Sequence, residues 1–117
     1  MIELPSVTVI IPTCDRATLL RFAVASALAQ HDDVRIIVVD DASREPVVLE
    51  ADACVRVLRL PVRSGRSAAR NAGAMEAASQ YITFHDDEHD LLPHAVACVR
   101  TALKSSTVCR TTANSRC

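Results

Sequence analysis

The sequence predicts an α/β fold, a doubly wound and mostly parallel sheet of about four strands with helices on both faces. Four short runs rich in β-branched residues alternate with Ala-rich segments of helical periodicity. Such alternation implies helical crossovers between parallel strands. Half of the 117 residues are apolar but only 3% are aromatic. The core must therefore be built from Val, Ile, Leu and Ala, which suits a covered parallel sheet.

Strands are expected at Val7–Ile11, Val34–Val39, Val55–Leu60 and Tyr81–Phe84. The first three runs are almost continuously apolar, which predicts strands buried on both faces. Polar or charged residues follow all four runs. Because ligands of such sheets bind beyond the carboxyl ends of the strands, these residues are expected to share one cleft.

Two helices are expected between the strands, at Arg16–Gln30 and Ser67–Ser79, where apolar residues recur at helical spacing. Thr13 or Asp15 would cap the first helix by accepting a hydrogen bond from a backbone N–H group of its first turn. Gly73 is expected to let the second helix approach the sheet closely.

Residues 1–104 are expected to form one domain that ends in a third helix, Leu91–Leu103, and the polar residues 105–117 to form a disordered tail. The net charge of −1 provides no long-range field for nucleic acid. The five cysteines form no Cys-x-x-Cys pair, which argues against a zinc ribbon. No signal peptide is evident, and no apolar run approaches about 18 residues, so a cytoplasmic protein is expected.

The run YITFHDDEHD carries three consecutive acidic residues, Asp86, Asp87 and Glu88, at the end of the fourth strand. Buried carboxylates are costly unless they are paired or bind a metal, so these residues are expected in a loop. Oxygen ligands bunched on one loop suit Mg²⁺ or Mn²⁺, which are often shared with a substrate diphosphate. A metal–nucleotide site is one hypothesis for this segment, and a solvated acidic turn is the other.

Four motifs follow one another along the chain, between about residues 6 and 96: VTVIIPTCDRATLLRFAVASALAQ, VRIIVVDDASREP, GRSAARNAGAMEAASQYITF and HDDEHDLLP. Together they resemble the nucleotide-sugar-binding half of family 2 glycosyltransferases with the GT-A fold. The resemblance implies a partial, Rossmann-like GT-A domain. It also implies binding of a nucleotide-diphosphate sugar, a UDP-sugar above all, through a divalent metal, for inverting transfer of the sugar to an acceptor hydroxyl.

The resemblance places the base of a uridine-like nucleotide at Asp41, with Pro12, Thr13 and Asp15 lining the same pocket. A carboxylate there can accept a hydrogen bond from an imide N–H group, which selects for the base. The alternative is that Asp40 and Asp41 form a pair that caps the next turn.

The resemblance also places Arg70 near the nucleotide diphosphate, or shaping its pocket. A guanidinium group offers a planar fork of donors that suits phosphate oxygens. The alternative is a surface arginine paired with Glu76 or Asp87. Arg63 and Arg66 are open to the same two interpretations, as diphosphate contacts or as an exposed pair in a loop.

The acidic loop corresponds to the Asp-x-Asp metal motif of the family, with Asp86 and Glu88 at its two acidic positions. Asp87 and His89 complete the set of candidate ligands for Mn²⁺ or Mg²⁺. The family commonly has Asp where this chain has Glu88 and His89. The longer Glu side chain suits the strict octahedral geometry of Mg²⁺ less well, whereas Mn²⁺ accepts an imidazole ligand.

In the relatives the general base and the acceptor platform lie downstream of the metal loop, so this chain is expected to lack both. The donor sugar and the acceptor, whether saccharide, lipid or protein, stay open. Uncovered sheet surface predicts self-association.

The first alternative function is a truncated or degenerate nucleotide-binding module without transfer activity. The second rests on HDDEH, which fits the His-x-x-Glu-His motif of zinc peptidases. That motif requires a helix, and the YITF run before it predicts a strand instead.

Overall fold

The structure, a computed structural model, describes residues 7–30, 34–49 and 53–87. Its strands are β1 (Val7–Thr13), β2 (Val34–Asp40), β3 (Val55–Arg59) and β4 (Tyr81–Phe84), and its helices are α1 (Ala17–Leu28) and α2 (Arg66–Glu76). All six elements were expected from the sequence, within three residues at each end. The expected helix Leu91–Leu103 and the polar segment 105–117 lie outside the described residues.

All strand pairs of the sheet are parallel, and their order is β3-β2-β1-β4. The chain adds β2 and then β3 on one side of β1 and returns to place β4 on the other side. The strand order therefore reverses between β1 and β4, which is where open α/β sheets bind their ligands. This arrangement confirms the predicted doubly wound fold.

Alternate residues of β1 and β2 pack on opposite faces of the sheet. Val9 and Ile11 belong to the core cluster under α1, together with Leu20 of that helix. Ile10 and Val39 belong to a second cluster on the opposite face, which contains α2. This alternation follows from the two-residue period of a strand and explains why both runs are almost wholly apolar.

Gly73 of α2 faces the sheet at very short range. A Cβ atom at this position would lie 2.6 Å from Cγ2 of Ile10 and 3.0 Å from Cγ2 of Val39. The structure confirms the prediction that this glycine permits close packing of helix and sheet.

Two predictions about the elements are wrong. β3 is not buried on both faces, because it is the outer strand of the sheet and its five residues are exposed or half-buried. The first helix has no side-chain cap: its N-cap residue is Arg16, and neither Thr13 nor Asp15 accepts from its first turn. Both side chains have partners elsewhere. Within the described residues, neither helix is long and apolar enough to cross a membrane.

Candidate functional site

The polar residues that follow the four strands meet around a cavity of about 180 Å³ at the carboxyl ends of the sheet. Segments after every strand contribute to the wall, as expected for a shared cleft. The lining residues are Pro12, Thr13, Cys14, Arg16, Asp41, Arg63, Gly65, Arg66, Ala69 and Asp87. Of the residues predicted to bind the nucleotide, Pro12, Thr13 and Asp41 lie in this wall.

Asp41 is held rigidly at the cavity. Its Oδ1 accepts a hydrogen bond from the backbone N–H of Ser64 (2.7 Å) and its Oδ2 from the N–H of Gly65 (2.9 Å). Its own N–H donates to the carbonyl oxygen of Thr13 (2.9 Å). The carboxylate thus ties the turn before α2 to the ends of β1 and β2. Each carboxylate oxygen has capacity for a further hydrogen bond, so Asp41 presents acceptors to the cavity.

Asp40 lies next to Asp41 in sequence but is wholly buried and outside the cavity wall. Its carboxylate accepts from the backbone N–H groups of Ser43 (2.9 Å) and Val47 (3.0 Å) and from Nη1 of Arg59 (2.8 Å). Burial alone would raise the pKa of Asp40, but these hydrogen bonds outweigh it and hold the pKa below its ordinary value. The turn-capping interpretation is therefore right for Asp40.

Asp87 joins the acidic loop to the end of β1. Its side chain is buried, and its Oδ2 accepts a hydrogen bond from Oγ1 of Thr13 (2.8 Å). Its Oδ1 accepts from Nη1 of Arg16 (3.4 Å), which also forms an ion pair with it. Both carboxylate oxygens therefore have protein partners, although Asp87 stands in the candidate metal motif.

Asp86 and Arg70 form an ion pair beside the cavity. Nη2 of Arg70 lies 3.2 Å from Oδ1 of Asp86, and its guanidinium carbon lies 5.9 Å from the ring centroid of Phe84. Neither charged residue belongs to the described lining of the cavity. The prediction that Arg70 pairs with a carboxylate is therefore right, but the predicted partners, Glu76 and Asp87, are wrong. Glu76 pairs with Arg56, and Asp87 pairs with Arg16.

The metal site remains a prediction. Glu88 and His89 lie outside the described residues, and the described part of the chain contains no group of three or more His, Cys, Asp or Glu side chains that could hold a metal ion.

Asp15 lies on a neighbouring depression of about 640 Å³ between α1 and residues 43–49 and not in the wall of the first cavity. Its Oδ1 accepts from the backbone N–H of Arg44 (2.8 Å), and its own N–H donates to Oγ of Ser43 (2.9 Å). Its backbone has a φ of 56°, a left-handed conformation that Asp tolerates better than most residues. These bonds connect the turn after β1 to the turn after β2.

Cys14 and Arg16 both line the cavity, although the sequence predicted no site role for either residue. Both stand in the polar stretch directly after β1, and that position was the available signal. Burial raises the pKa of the Cys14 thiol, and Arg63 only partly opposes this effect. The thiol is therefore a neutral part of the wall near pH 7. Among the described residues, three arginines and two aspartates form the charged part of the lining.

A parallel sheet with a polar cavity at its strand-order reversal is typical of doubly wound α/β domains, which bind their ligands at this position. The model of the family named Glycosyl transferase family 2 matches residues 8–104. The chain therefore belongs to this glycosyltransferase family, as its motifs predicted.

Similar proteins include GalNAc(5)-diNAcBac-PP-undecaprenol beta-1,3-glucosyltransferase of Campylobacter jejuni, which is 30% identical over 102 residues, or 80% of this chain and 33% of that protein. Succinoglycan biosynthesis protein ExoO of Rhizobium meliloti is 33% identical over 96 residues, or 78% of this chain and 28% of that protein. The chain thus spans about a third of the length of the curated relatives it matches.

Solved structures share the fold. S. aureus TarS in complex with UDP aligns with a TM-score of 0.74 and 18% identity, over 85% of this chain and 32% of that chain. A second crystal structure, of S. aureus TarS residues 1–349, aligns with a TM-score of 0.73 and 17% identity, again over 85% of this chain and 32% of that chain. The domain is therefore an α/β domain with the GT-A fold, as predicted.

Proposed function

We propose that this chain binds a nucleotide-diphosphate sugar, specifically a UDP-sugar, as the donor-binding part of a glycosyltransferase. The proposal depends on the position of Asp41, whose carboxylate is held by two backbone hydrogen bonds and lines the cavity together with Pro12 and Thr13. Because a carboxylate only accepts hydrogen bonds, it suits the imide N–H group of uracil. The UDP complex of S. aureus TarS, which shares the fold, supports the same class of ligand.

The size and charge of the cavity support this proposal. Its volume of about 180 Å³ is below the roughly 300 Å³ at which small-molecule pockets typically begin. The cavity therefore suits the base, while the remainder of the donor lies outside it. Arg63 and Arg66 line the same cavity from the turn before α2, and guanidinium groups suit phosphate oxygens.

We propose that Asp86 and Glu88 would hold a divalent ion, Mn²⁺ or Mg²⁺, when the donor is bound. Asp86 is a half-buried carboxylate just after β4, and hard cations prefer such oxygen ligands. Its Oδ1 also pairs with Arg70, so metal binding would compete with this ion pair. Asp87 fits less well, since one of its oxygens accepts from Thr13 and the other accepts from Arg16. Glu88 and His89 enter the proposal from the sequence motif alone. When bound, the ion would neutralise charge on the departing nucleoside diphosphate.

Inverting transfer also needs a general base that removes the proton of the acceptor hydroxyl. The two described carboxylates that line the cavity accept hydrogen bonds within the protein. Asp41 accepts from backbone N–H groups, and Asp87 accepts from Thr13 and Arg16. A second candidate is a nucleotide-binding module without transfer activity. Release of sugar from a UDP-sugar separates the two candidates. For the 117-residue chain we expect binding of the donor and weak or no transfer.

Calorimetric titration of the chain with UDP in the presence of Mn²⁺ tests the proposed donor site. We expect saturable binding that weakens when Mn²⁺ is removed with a chelator. The substitution Asp41→Asn is expected to lower UDP affinity about tenfold or more. The amide NH₂ group would replace one acceptor oxygen and would face donor N–H groups where a carboxylate oxygen now accepts from them.

A matched control is Glu45→Gln, which removes the same charge from an exposed position outside the cavity wall. Its UDP affinity is expected to equal that of the unaltered chain. Absence of UDP binding, or equal affinity of the Asp41→Asn variant, would contradict the proposal.

A further inference from the structure

We propose that Asp87 sets the base preference of the nucleotide site by taking the single hydroxyl proton of Thr13, which leaves Thr13 as an acceptor toward the base. This inference rests on the proposed function, since it assumes a nucleotide in the cavity. It assigns to Asp87 a positioning role instead of metal ligation. Thr13 and Asp87 both line the cavity, and both are 4% exposed.

The hydrogen bond between Thr13 and Asp87 has a defined direction. Oγ1 of Thr13 lies 2.8 Å from Oδ2 of Asp87. An ionised carboxylate carries no proton and only accepts, whereas a threonine hydroxyl has one proton and two lone pairs. Thr13 must therefore be the donor. Its proton is committed to Asp87, and its lone pairs are what it can offer to a ligand.

Arg16 contacts the other carboxylate oxygen of Asp87. Nη1 of Arg16 lies 3.4 Å from Oδ1 of Asp87, the oxygen that Thr13 does not use. A guanidinium group donates and never accepts. An Asp or Asn side chain at position 87 that keeps both contacts therefore directs an oxygen at Arg16, and its second polar atom faces Thr13.

The cavity wall at the ends of β1 and β2 therefore presents hydrogen-bond acceptors to a ligand. Thr13 contributes a hydroxyl oxygen and Asp41 contributes a carboxylate, and Asp41 N–H bonds to the Thr13 carbonyl, so the two residues are adjacent. Uracil presents an N–H group at position 3 of its ring, whereas cytosine presents a bare acceptor nitrogen there. Two acceptors facing that position favour uracil, because they meet its N–H group, whereas they oppose the lone pair of the cytosine nitrogen.

The substitution Asp87→Asn is expected to reverse the polarity of Thr13. Because Arg16 can only donate whereas the Thr13 hydroxyl can also accept, we expect the amide oxygen to face Arg16 and the amide NH₂ group to donate to the Thr13 oxygen. The threonine proton is then free to turn toward the cavity. A donor in this position opposes the uracil N–H group and suits the cytosine nitrogen.

The experiment measures the Kd values of UDP and CDP, each in the presence of Mn²⁺, for the unaltered chain and for Asp87→Asn. The ratio of the two Kd values is the readout, because loss of metal affinity or of general order affects both nucleotides alike. The unaltered chain is expected to prefer UDP, and Asp87→Asn is expected to reduce that preference about tenfold, as for the exchange of one hydrogen-bond partner. An unchanged ratio would overturn the inference.

Two variants of Thr13 provide a second route should Asp87→Asn fail to fold. Thr13→Val removes the acceptor and is expected to reduce the UDP preference, whereas Thr13→Ser keeps the hydroxyl and is expected to retain it. Equal ratios in Thr13→Val and the unaltered chain would overturn the inference. So would equal affinity of the unaltered chain for UDP and CDP, although nucleotide binding would stand. Binding of neither nucleotide would overturn the proposed function and this inference together.

Discussion

Two adjacent aspartates at the end of β2 have opposite environments. The side chain of Asp40 is directed into the protein and binds Ser43, Val47 and Arg59, whereas Asp41 lines the cavity. Successive side chains along an extended backbone point to opposite sides, so one of two neighbours is directed away from the site. Asp40 thus stabilises the turn that follows Asp41 and contributes to the site only through this turn.

The charge of Asp40 should stabilise the fold in a pH-dependent manner. Its folded-state pKa lies below its ordinary value, so the stabilisation is complete above the unfolded-state pKa and is lost as the pH falls through the folded-state pKa. We expect Asp40→Asn to lower the free energy of unfolding at pH 7 by about 1–3 kcal/mol, because its amide group would face buried donors. We also expect this difference to shrink below about pH 4.

Urea unfolding of both proteins between neutral and acidic pH measures this difference. The control variant is Glu45→Gln, which removes an exposed carboxylate and should change the stability little at any pH. A constant difference between Asp40→Asn and the unaltered chain at all pH values would contradict the prediction.

At the scale of the elements, α2 packs against the sheet through two small buried residues, Ala69 and Gly73. Gly73 brings the helix against Ile10 and Val39, two core residues of neighbouring strands. The same helix carries Arg70 and begins at the turn that binds Asp41. A displacement of α2 would therefore change both the hydrophobic core and the cavity wall.

The substitution Gly73→Ala is expected to destabilise the protein by about 1–3 kcal/mol, the usual cost of inserting a methyl group into a packed core. Higher helix propensity of Ala offsets this by at most about 1 kcal/mol. Thermal unfolding followed by circular dichroism measures the effect. Met75→Ala, at an exposed position of the same helix, serves as the control and should leave Tm unchanged. An equal or higher Tm of Gly73→Ala would show that the helix can move away at no cost.

At the scale of the whole molecule, the site exists because the chain order and the strand order differ. β4 is last among the described strands in sequence but lies beside β1 in the sheet. Consequently Asp87 reaches Thr13 although the two residues are 74 positions apart in the chain. The two aspartate-bearing turns and the arginine-bearing turn before α2 meet only through this topology.

Self-association stays a prediction, and the structure adds a surface that would support it. Phe22 is 62% exposed and Leu19 is 45% exposed, one helical turn apart on α1. Contiguous exposed apolar residues favour association. We expect light scattering to show concentration-dependent oligomers of the chain, and Phe22→Ser to shift them toward monomer. Thr18→Ser, a polar change at a neighbouring exposed position, should have no effect. A monomer at all concentrations would contradict this expectation.

The sequence by itself determined the six elements, the close contact at Gly73 and the placement of polar residues at the strand ends. These features depend on local periodicity, side-chain size and the cost of burying charge, which all follow from the residue types and their spacing in the sequence. The motifs also identified the glycosyltransferase family.

Only the tertiary structure decided which side chains pair across the site. Arg70 binds Asp86, Arg16 and Thr13 bind Asp87, and β3 lies at the edge of the sheet. The sequence contains several acidic and basic residues of similar type near each strand end, and local rules do not distinguish among them. The choice of partner depends on strand order and on the direction of each side chain, which arise when segments distant in sequence pack together.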